Sequence, residues 1–171
     1  LTITSFSGEE RTFNFKFANV GPYFGGLATA FTHDGYLLTA GHEASAYLLV
    51  IGVMDGRVRV APARVVYKQS FGTYGTDLAI IHVDQRIDHP LPLGQFIEGQ
   101  HDVYGLAWDL DTQLKVLMIG GKIRSAARSA LSDQIVLLDT DLPSWHGDSG
   151  GGALSRDGKL IGIITGFKTK W

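Results

Sequence analysis

An all-β fold of two antiparallel units is what this sequence predicts, and three observations predict it. Apolar residues alternate with polar ones at period two, Asp-Gly pairs punctuate the apolar runs, and no window of a dozen residues carries a helical stripe. The 22 glycines among 171 residues suit a chain that must turn often.

Taken in order, Phe13, Phe15 and Phe17 face one way while Asn14 and Lys16 face the other, the mark of a half-buried strand. Tyr36-Leu37-Leu38-Thr39-Ala40 is an apolar strand running into Gly41-His42, and Arg57-Val58-Arg59-Val60 repeats the alternation. Asp77 leads directly into the apolar strand Leu78-Ala79-Ile80-Ile81-His82-Val83. Residues 116–119, 135–138 and 160–164 are continuous apolar runs and predict deeply buried strands. Asp34-Gly35, Asp55-Gly56 and Asp157-Gly158 lie between such runs and predict three hairpins, the glycine supplying a positive φ. Short helical turns are expected near residues 44–48 and 125–130. Residues 84–101, with Pro90, Pro92, Gly94 and Gly99, read as the connection between two halves. No sequence repeat relates the halves.

Composition excludes several function classes. The net charge of −2 makes no field for polyanions, and Lys115, Lys122, Arg124 and Arg128 are too dispersed for a nucleic-acid patch, so they read as a solvated loop. No run approaches the roughly 20 apolar residues of a membrane span. There are no cysteines, so the fold owes nothing to disulfides and no thiol serves as nucleophile. His33, His82, His89, His101 and His146 show neither HExxH nor paired zinc spacing, so neither metal nor cofactor is expected. His82 shares a strand face with Leu78 and Ile80 and reads as a packed residue. The chain begins at Leu1 without a basic-then-apolar leader, as a processed piece would.

Three segments carry chemistry. In Gly147-Asp148-Ser149-Gly150-Gly151, a serine between glycines exposes its hydroxyl near outward-pointing backbone N–H groups; a plain glycine-rich turn is the alternative. A serine hydroxyl needs a base, and His42 at its small-residue bend supplies an imidazole, the side chain that usually fills this role. An aspartate at the head of an apolar strand calls for a partner, because an unpaired buried charge is costly, and Asp77 meets that description.

Together Leu38-Thr39-Ala40-Gly41-His42, Asp77-Leu78-Ala79-Ile80-Ile81 and Gly147-Asp148-Ser149-Gly150-Gly151 resemble, in the right order, the three signature segments of chymotrypsin-like serine proteases. The resemblance spans nearly the whole chain. It implies two antiparallel six-stranded β-barrels, residues 1–90 carrying His42 and Asp77 and residues 91–171 carrying Ser149, with the active site in the cleft between them. It implies a serine endopeptidase acting through an acyl-enzyme on Ser149, with the N–H groups of Gly147 and Ser149 as oxyanion hole. The substrate is a polypeptide, paired with the strand holding Thr165, Gly166 and Phe167. The residue six before the nucleophile, Pro143, would floor the primary pocket, with Ser144 and Thr165 as its nearest polar groups and Phe167 at its mouth. Proline carries no charge, and an isoleucine of residues 163–167 stands where acid-selective relatives often place a histidine. A neutral, mostly apolar residue is therefore expected before the scissile bond, unless Asp139 or Asp141 reaches the pocket.

The chain departs from many secreted members in lacking an Ile-Val-Gly-Gly start, which leaves the partner of Asp148 open, and in placing Gly152 where proline is common. The compact, cysteine-free viral and bacterial branches fit better. Those features favour a viral protease that processes its own polyprotein, in the host cytoplasm if viral and otherwise in a bacterial periplasm or outside the cell. Two other classes stay in view. Gly-x-Ser-x-Gly is also the nucleophile elbow of α/β-hydrolases, but no histidine follows Ser149, as that fold requires. A catalytically silent binding module on the protease fold is the alternative function. The sequence carries no sign of oligomeric state.

Overall fold

The computed structural model describes residues 2–4, 10–12, 26–45, 48–54, 57–69, 76–109, 115–128, 134–145 and 147–166. Strands dominate them. β1 (Thr2–Thr4) and β2 (Glu10–Thr12) make a short antiparallel ribbon. β3 (Thr29–Ala30), β4 (Tyr36–Ala40), β5 (Leu48–Met54), β6 (Arg57–Gln69) and β7 (Leu78–Val83) form an antiparallel sheet in the order β3-β4-β7-β6-β5. β8 (Asp102–Asp109), β9 (Lys115–Arg128), β10 (Ile135–Thr140), β11 (Gly152–Leu154) and β12 (Leu160–Ile163) form a second, in the order β10-β9-β8-β11-β12. The all-β expectation holds, and among the described residues each sheet has five strands where six were expected. Among them, too, no helix is long and apolar enough to cross a membrane.

Period-two patterning places the first core. Along β7, Ala79, Ile81 and Val83 are buried while Leu78, Ile80 and His82 on the opposite face are half-buried. Ile81 and Val83 pack with Leu37 and Ala61, a cluster to which each such aliphatic side chain contributes about 1.5–3 kcal/mol by burial. Val103, Ile123 and Ala153 make the corresponding cluster in the second sheet, with Phe96, Leu138, Leu142 and Ile161 against them. His82 is held as expected, its ring 4.6 Å from that of Tyr36 and its Nε2 3.0 Å from the carbonyl of Asp34.

Two Asp-Gly hairpins are in place, with φ of 94° at Gly35 and 78° at Gly158. At the third, Met54 pairs with Arg57, while Asp55 and Gly56 themselves lie outside the described residues, as do Phe13, Phe15 and Phe17. Residues 84–101 connect the sheets and are bonded to both: Leu91 N–H donates to Ala30 O at 2.9 Å, and Leu160 N–H to Pro92 O at 2.8 Å.

Several expectations are corrected. Ser125 to Arg128 belong to β9, where pairing with β10 overrides any local helical preference. Of the turn expected near residues 44–48, residues 46 and 47 lie outside the described residues; a 3₁₀ turn covers Gly41–Glu43, and β5 has begun by Leu48. Lys122, Arg124 and Arg128 stand on that same strand β9 rather than a loop, facing Asp102, Asp141 and Glu98 across ion pairs. Residues 116–119 and 135–138 are strands but not deeply buried, since Met118 is 69% and Leu137 40% exposed. Consecutive strand residues point to opposite faces, so a continuous apolar run is wholly buried only where both faces are covered.

Candidate active site

The register of β4 and β7 creates the site. Ala40 pairs with Leu78, so the residues just beyond those two strand ends, His42 and Asp77, are brought side by side. Gly41 is the hinge of this approach. A Cβ there would lie 2.3 Å from Gln69 O and 2.7 Å from Asp77 Oδ1, so only glycine lets the turn pass between β6 and the carboxylate. Asp77 is buried, and both its oxygens accept from one residue: Oδ1 from the His42 backbone N–H at 2.9 Å and Oδ2 from Nδ1–H at 2.5 Å. The second bond is short and charge-assisted. It leaves Nε2 as the second nitrogen of a half-exposed imidazole. Lys68 ties β6 to the same corner by donating to Ala44 O at 2.7 Å.

Ser149 stands on a turn that the first sheet holds from behind. Gly147 and Gly150 have φ of 96° and 85°. A Cβ on Gly150 would meet Leu27 O at 1.9 Å and Thr39 Oγ1 at 2.4 Å, so the turn closes against residues 26–29 only with glycine at this position. Leu27 N–H donates to Ser149 O at 2.7 Å and the Thr29 hydroxyl to Gly150 O at 3.3 Å, which couples the two sheets at the serine. Gly150 N–H donates to Ile164 O and Gly151 N–H to Asp148 O. The N–H groups of Gly147 and Ser149 have no acceptor among the described residues and stay available. Asp148 is buried, and its carboxylate accepts from the Trp145 N–H at 2.6 Å, a backbone partner for the group whose partner the sequence left open.

A cavity of about 240 Å³ lies between these elements, lined by His42, Ser144, Trp145, Ser149, Ile164, Thr165 and Gly166. His42, Ser149, Ser144, Thr165 and Gly166, all named from the sequence, line it together. Pro143 does not line it: it is exposed one residue outside, because the chain turns so that Ser144 and Trp145 form that side. Phe167 and His146 lie outside the described residues. Neither Asp139 nor Asp141 borders the cavity. Asp141 accepts from Lys122 N–H at 2.5 Å and faces Arg124, and those two groups, the N–H foremost, hold its carboxyl below the usual carboxylate range.

Sequence reasoning missed Trp145 and Glu43, while Ile164 comes from the wall strand it named. The Glu43 carboxylate lies 3.2 Å from His42 Nε2. No periodicity marks it, since its place is set by the short 3₁₀ turn over Gly41–Glu43.

The trypsin-like peptidase domain family matches residues 26–163. No curated protein matches the chain. Among solved structures, the apo protease domain of MamO from Magnetospirillum magneticum is similar with a TM-score of 0.63 at 23% identity, over 86% of this chain and 79% of that one. Deg5 is similar with a TM-score of 0.67 at 16% identity, over 81% and 72%. The HtrA-type protease AlgW, solved with a decapeptide, gives 0.63 at 25% identity, over 85% of this chain and 44% of that one. The family match runs from the segment behind Ser149 through both sheets to the end of β12, and the chain belongs to the trypsin-like peptidase domain family, a family of peptide-bond hydrolases.

Proposed function

We propose that this peptidase domain is a serine endopeptidase whose nucleophile is Ser149, whose base is His42 and whose orienting carboxylate is Asp77. The observation that carries the reading is the pair of bonds from His42 to buried Asp77, made beside a cavity that Ser149 also lines. In this reading Asp77 keeps a proton on Nδ1, so that Nε2 accepts the hydroxyl proton of Ser149 as its oxygen attacks the scissile carbonyl carbon. The oxyanion formed is met by the N–H groups of Gly147 and Ser149, each worth about 10²–10³ in rate. The imidazolium then gives its proton to the leaving amine, the acyl-enzyme remains on Ser149, and water releases it by the same steps in reverse roles.

The cavity supports a neutral, mostly apolar residue before the scissile bond. Trp145 and Ile164 give it apolar surface, Ser144 and Thr165 are its neutral polar groups, and among the described residues its only ionisable lining residue is His42 itself. Residues 1–90 and 91–171 are proposed as the two halves, each five-stranded sheet being the described part of a six-stranded barrel. The proposal of a viral polyprotein as substrate rests on the lack of cysteine and the short loops.

A fluorophosphonate probe tests the reading. It labels Ser149 in the unmodified chain, while Ser149→Ala and His42→Ala lose both labelling and hydrolysis of a peptide library and keep the circular dichroism of the parent. A folded parent that neither labels nor hydrolyses would instead be a binding module on the protease fold.

A further inference from the structure

A carboxylate borders the reacting groups on the side away from the cavity. Beyond His42 and Ser149, that cavity is closed by Ser144, Trp145, Ile164, Thr165 and Gly166, and Glu43 is not among its lining residues. Glu43 approaches from the first sheet instead. Its Oε1 lies 3.2 Å from Nε2 of His42, and its side chain is only 23% exposed. A Cβ on Gly26 would fall 2.5 Å from Ser149 O, 2.8 Å from Glu43 Cγ and 2.9 Å from Glu43 Cδ. Glycine at 26 therefore makes the seat that holds this carboxylate beside the serine turn, next to the Leu27 N–H that donates to Ser149 O. Among the described residues no Lys or Arg pairs with Glu43, and the Lys68 ammonium of the same corner donates to Ala44 O.

We propose that Glu43 selects the residue that follows the scissile bond, its carboxylate favouring Lys or Arg there and disfavouring Asp or Glu. The inference rests on the serine-protease reading above. In that reading the residue before the bond enters the cavity, and the leaving nitrogen sits within hydrogen-bond reach of Nε2, about 3 Å. Glu43 Oε1 is 3.2 Å from the same Nε2, so it stands within about 6 Å of the leaving nitrogen, a gap that the long side chain of Lys or Arg spans. A cation there meets an opposite charge already held in place by its seat against residue 26, which keeps the ordering cost of the pair low. An acidic side chain there meets a like charge. The pair stays open to solvent on one side, so the selectivity is modest and weakens with salt. It acts on the opposite side of the bond from the cavity, whose neutral lining governs the preceding residue. The favoured cleavage therefore falls between a neutral apolar residue and a basic one.

The test measures kcat/KM at one pH, 8, on peptides that carry leucine before the scissile bond and Lys, Arg, Gln or Glu after it. In the unmodified chain Lys and Arg are expected to exceed Gln by about two- to fivefold, and Gln to exceed Glu by a similar factor. Raising the salt to 0.5 M compresses both ratios. Glu43→Gln, which keeps the shape and removes the charge, brings the ratios close to one, and Glu43→Lys inverts them. Because each protein is read as a ratio between its own substrates, a general loss of rate in a variant does not mimic the result. A parent that cleaves the Gln or Glu peptide as well as the Lys peptide would overturn the proposal, and so would a Glu43→Gln protein that keeps the parent ratios. A second readout does not depend on turnover: in the Ser149→Ala background, fluorescence anisotropy ranks binding of the same peptides, Lys above Gln above Glu, and the ranking disappears once Glu43 is also replaced by Gln. Equal binding of the Lys and Glu peptides with Glu43 in place also overturns it. A parent that hydrolyses nothing defeats the protease reading instead, and the binding ranks still decide the role of Glu43.

Discussion

Replacing Asp77 by asparagine removes one charge and almost no volume, and its effect is determined by the two bonds from His42. The backbone N–H of His42 points at Oδ1 at 2.9 Å and Nδ1 at Oδ2 at 2.5 Å. An amide has one acceptor oxygen. The backbone N–H cannot rotate or change its protonation, so it takes that oxygen, and the amide NH2 is left facing Nδ1. Nδ1 must then accept, the ring proton moves to Nε2, and the imidazole presents a donor where the Ser149 hydroxyl needs an acceptor. The general template for this triad puts such a tautomer error at about 10⁴ in kcat. Stability changes far less, since two charge-assisted bonds become neutral ones, a loss of about 2 kcal/mol. Steady-state hydrolysis at pH 8 beside a thermal melt separates the two effects. An Asp77→Asn protein within tenfold of the parent kcat would refute the assignment of Asp77 as the orienting group. A protein that is inactive because it is unfolded would refute the claim that the substitution acts through the tautomer.

The same geometry bears on the serine turn and on the pocket. Gly150→Ala meets both a φ of 85° and a contact of 1.9 Å with Leu27 O, so left-handed strain of about 1–2 kcal/mol adds to overpacking of about 1–3 kcal/mol. At about 2–4 °C per kcal/mol for a chain of this size, the melting temperature falls by roughly 4–20 °C, and an unchanged melt would show that the turn yields freely. On matched peptides differing only before the scissile bond, Phe, Leu and Trp are expected to exceed Lys, Arg, Glu and Asp by tenfold or more in kcat/KM. Among the described residues the cavity offers no carboxylate, Lys or Arg to pair with a buried charge, at a cost of several kcal/mol. A tenfold preference for any charged residue would overturn the neutral-pocket reading.

Local information carried much of this protein. Period-two alternation located β4, β6 and β7, and the Asp-Gly pairs located the hairpins, because strand facing and positive φ are properties of a residue and its neighbours. Three short segments were enough to nominate His42, Asp77 and Ser149, since each sits where a strand ends or a turn tightens. The tertiary structure decided what depends on distant pairing. Ser125 to Arg128 became strand because β10 arrived beside them, and Met118 stayed exposed because an apolar run does not by itself say which faces of its strand are covered. Pro143 and Trp145 exchanged places at the cavity because a count along the chain does not give the direction of a turn. Glu43 was in plain view beside His42, yet its seat against residue 26 and its reach to Nε2 exist only once β3 and β4 have brought the segment around Gly26 back to the 3₁₀ turn. Side-chain facing is set within a few residues, whereas contact between a carboxylate and an imidazole depends on the path of the whole sheet.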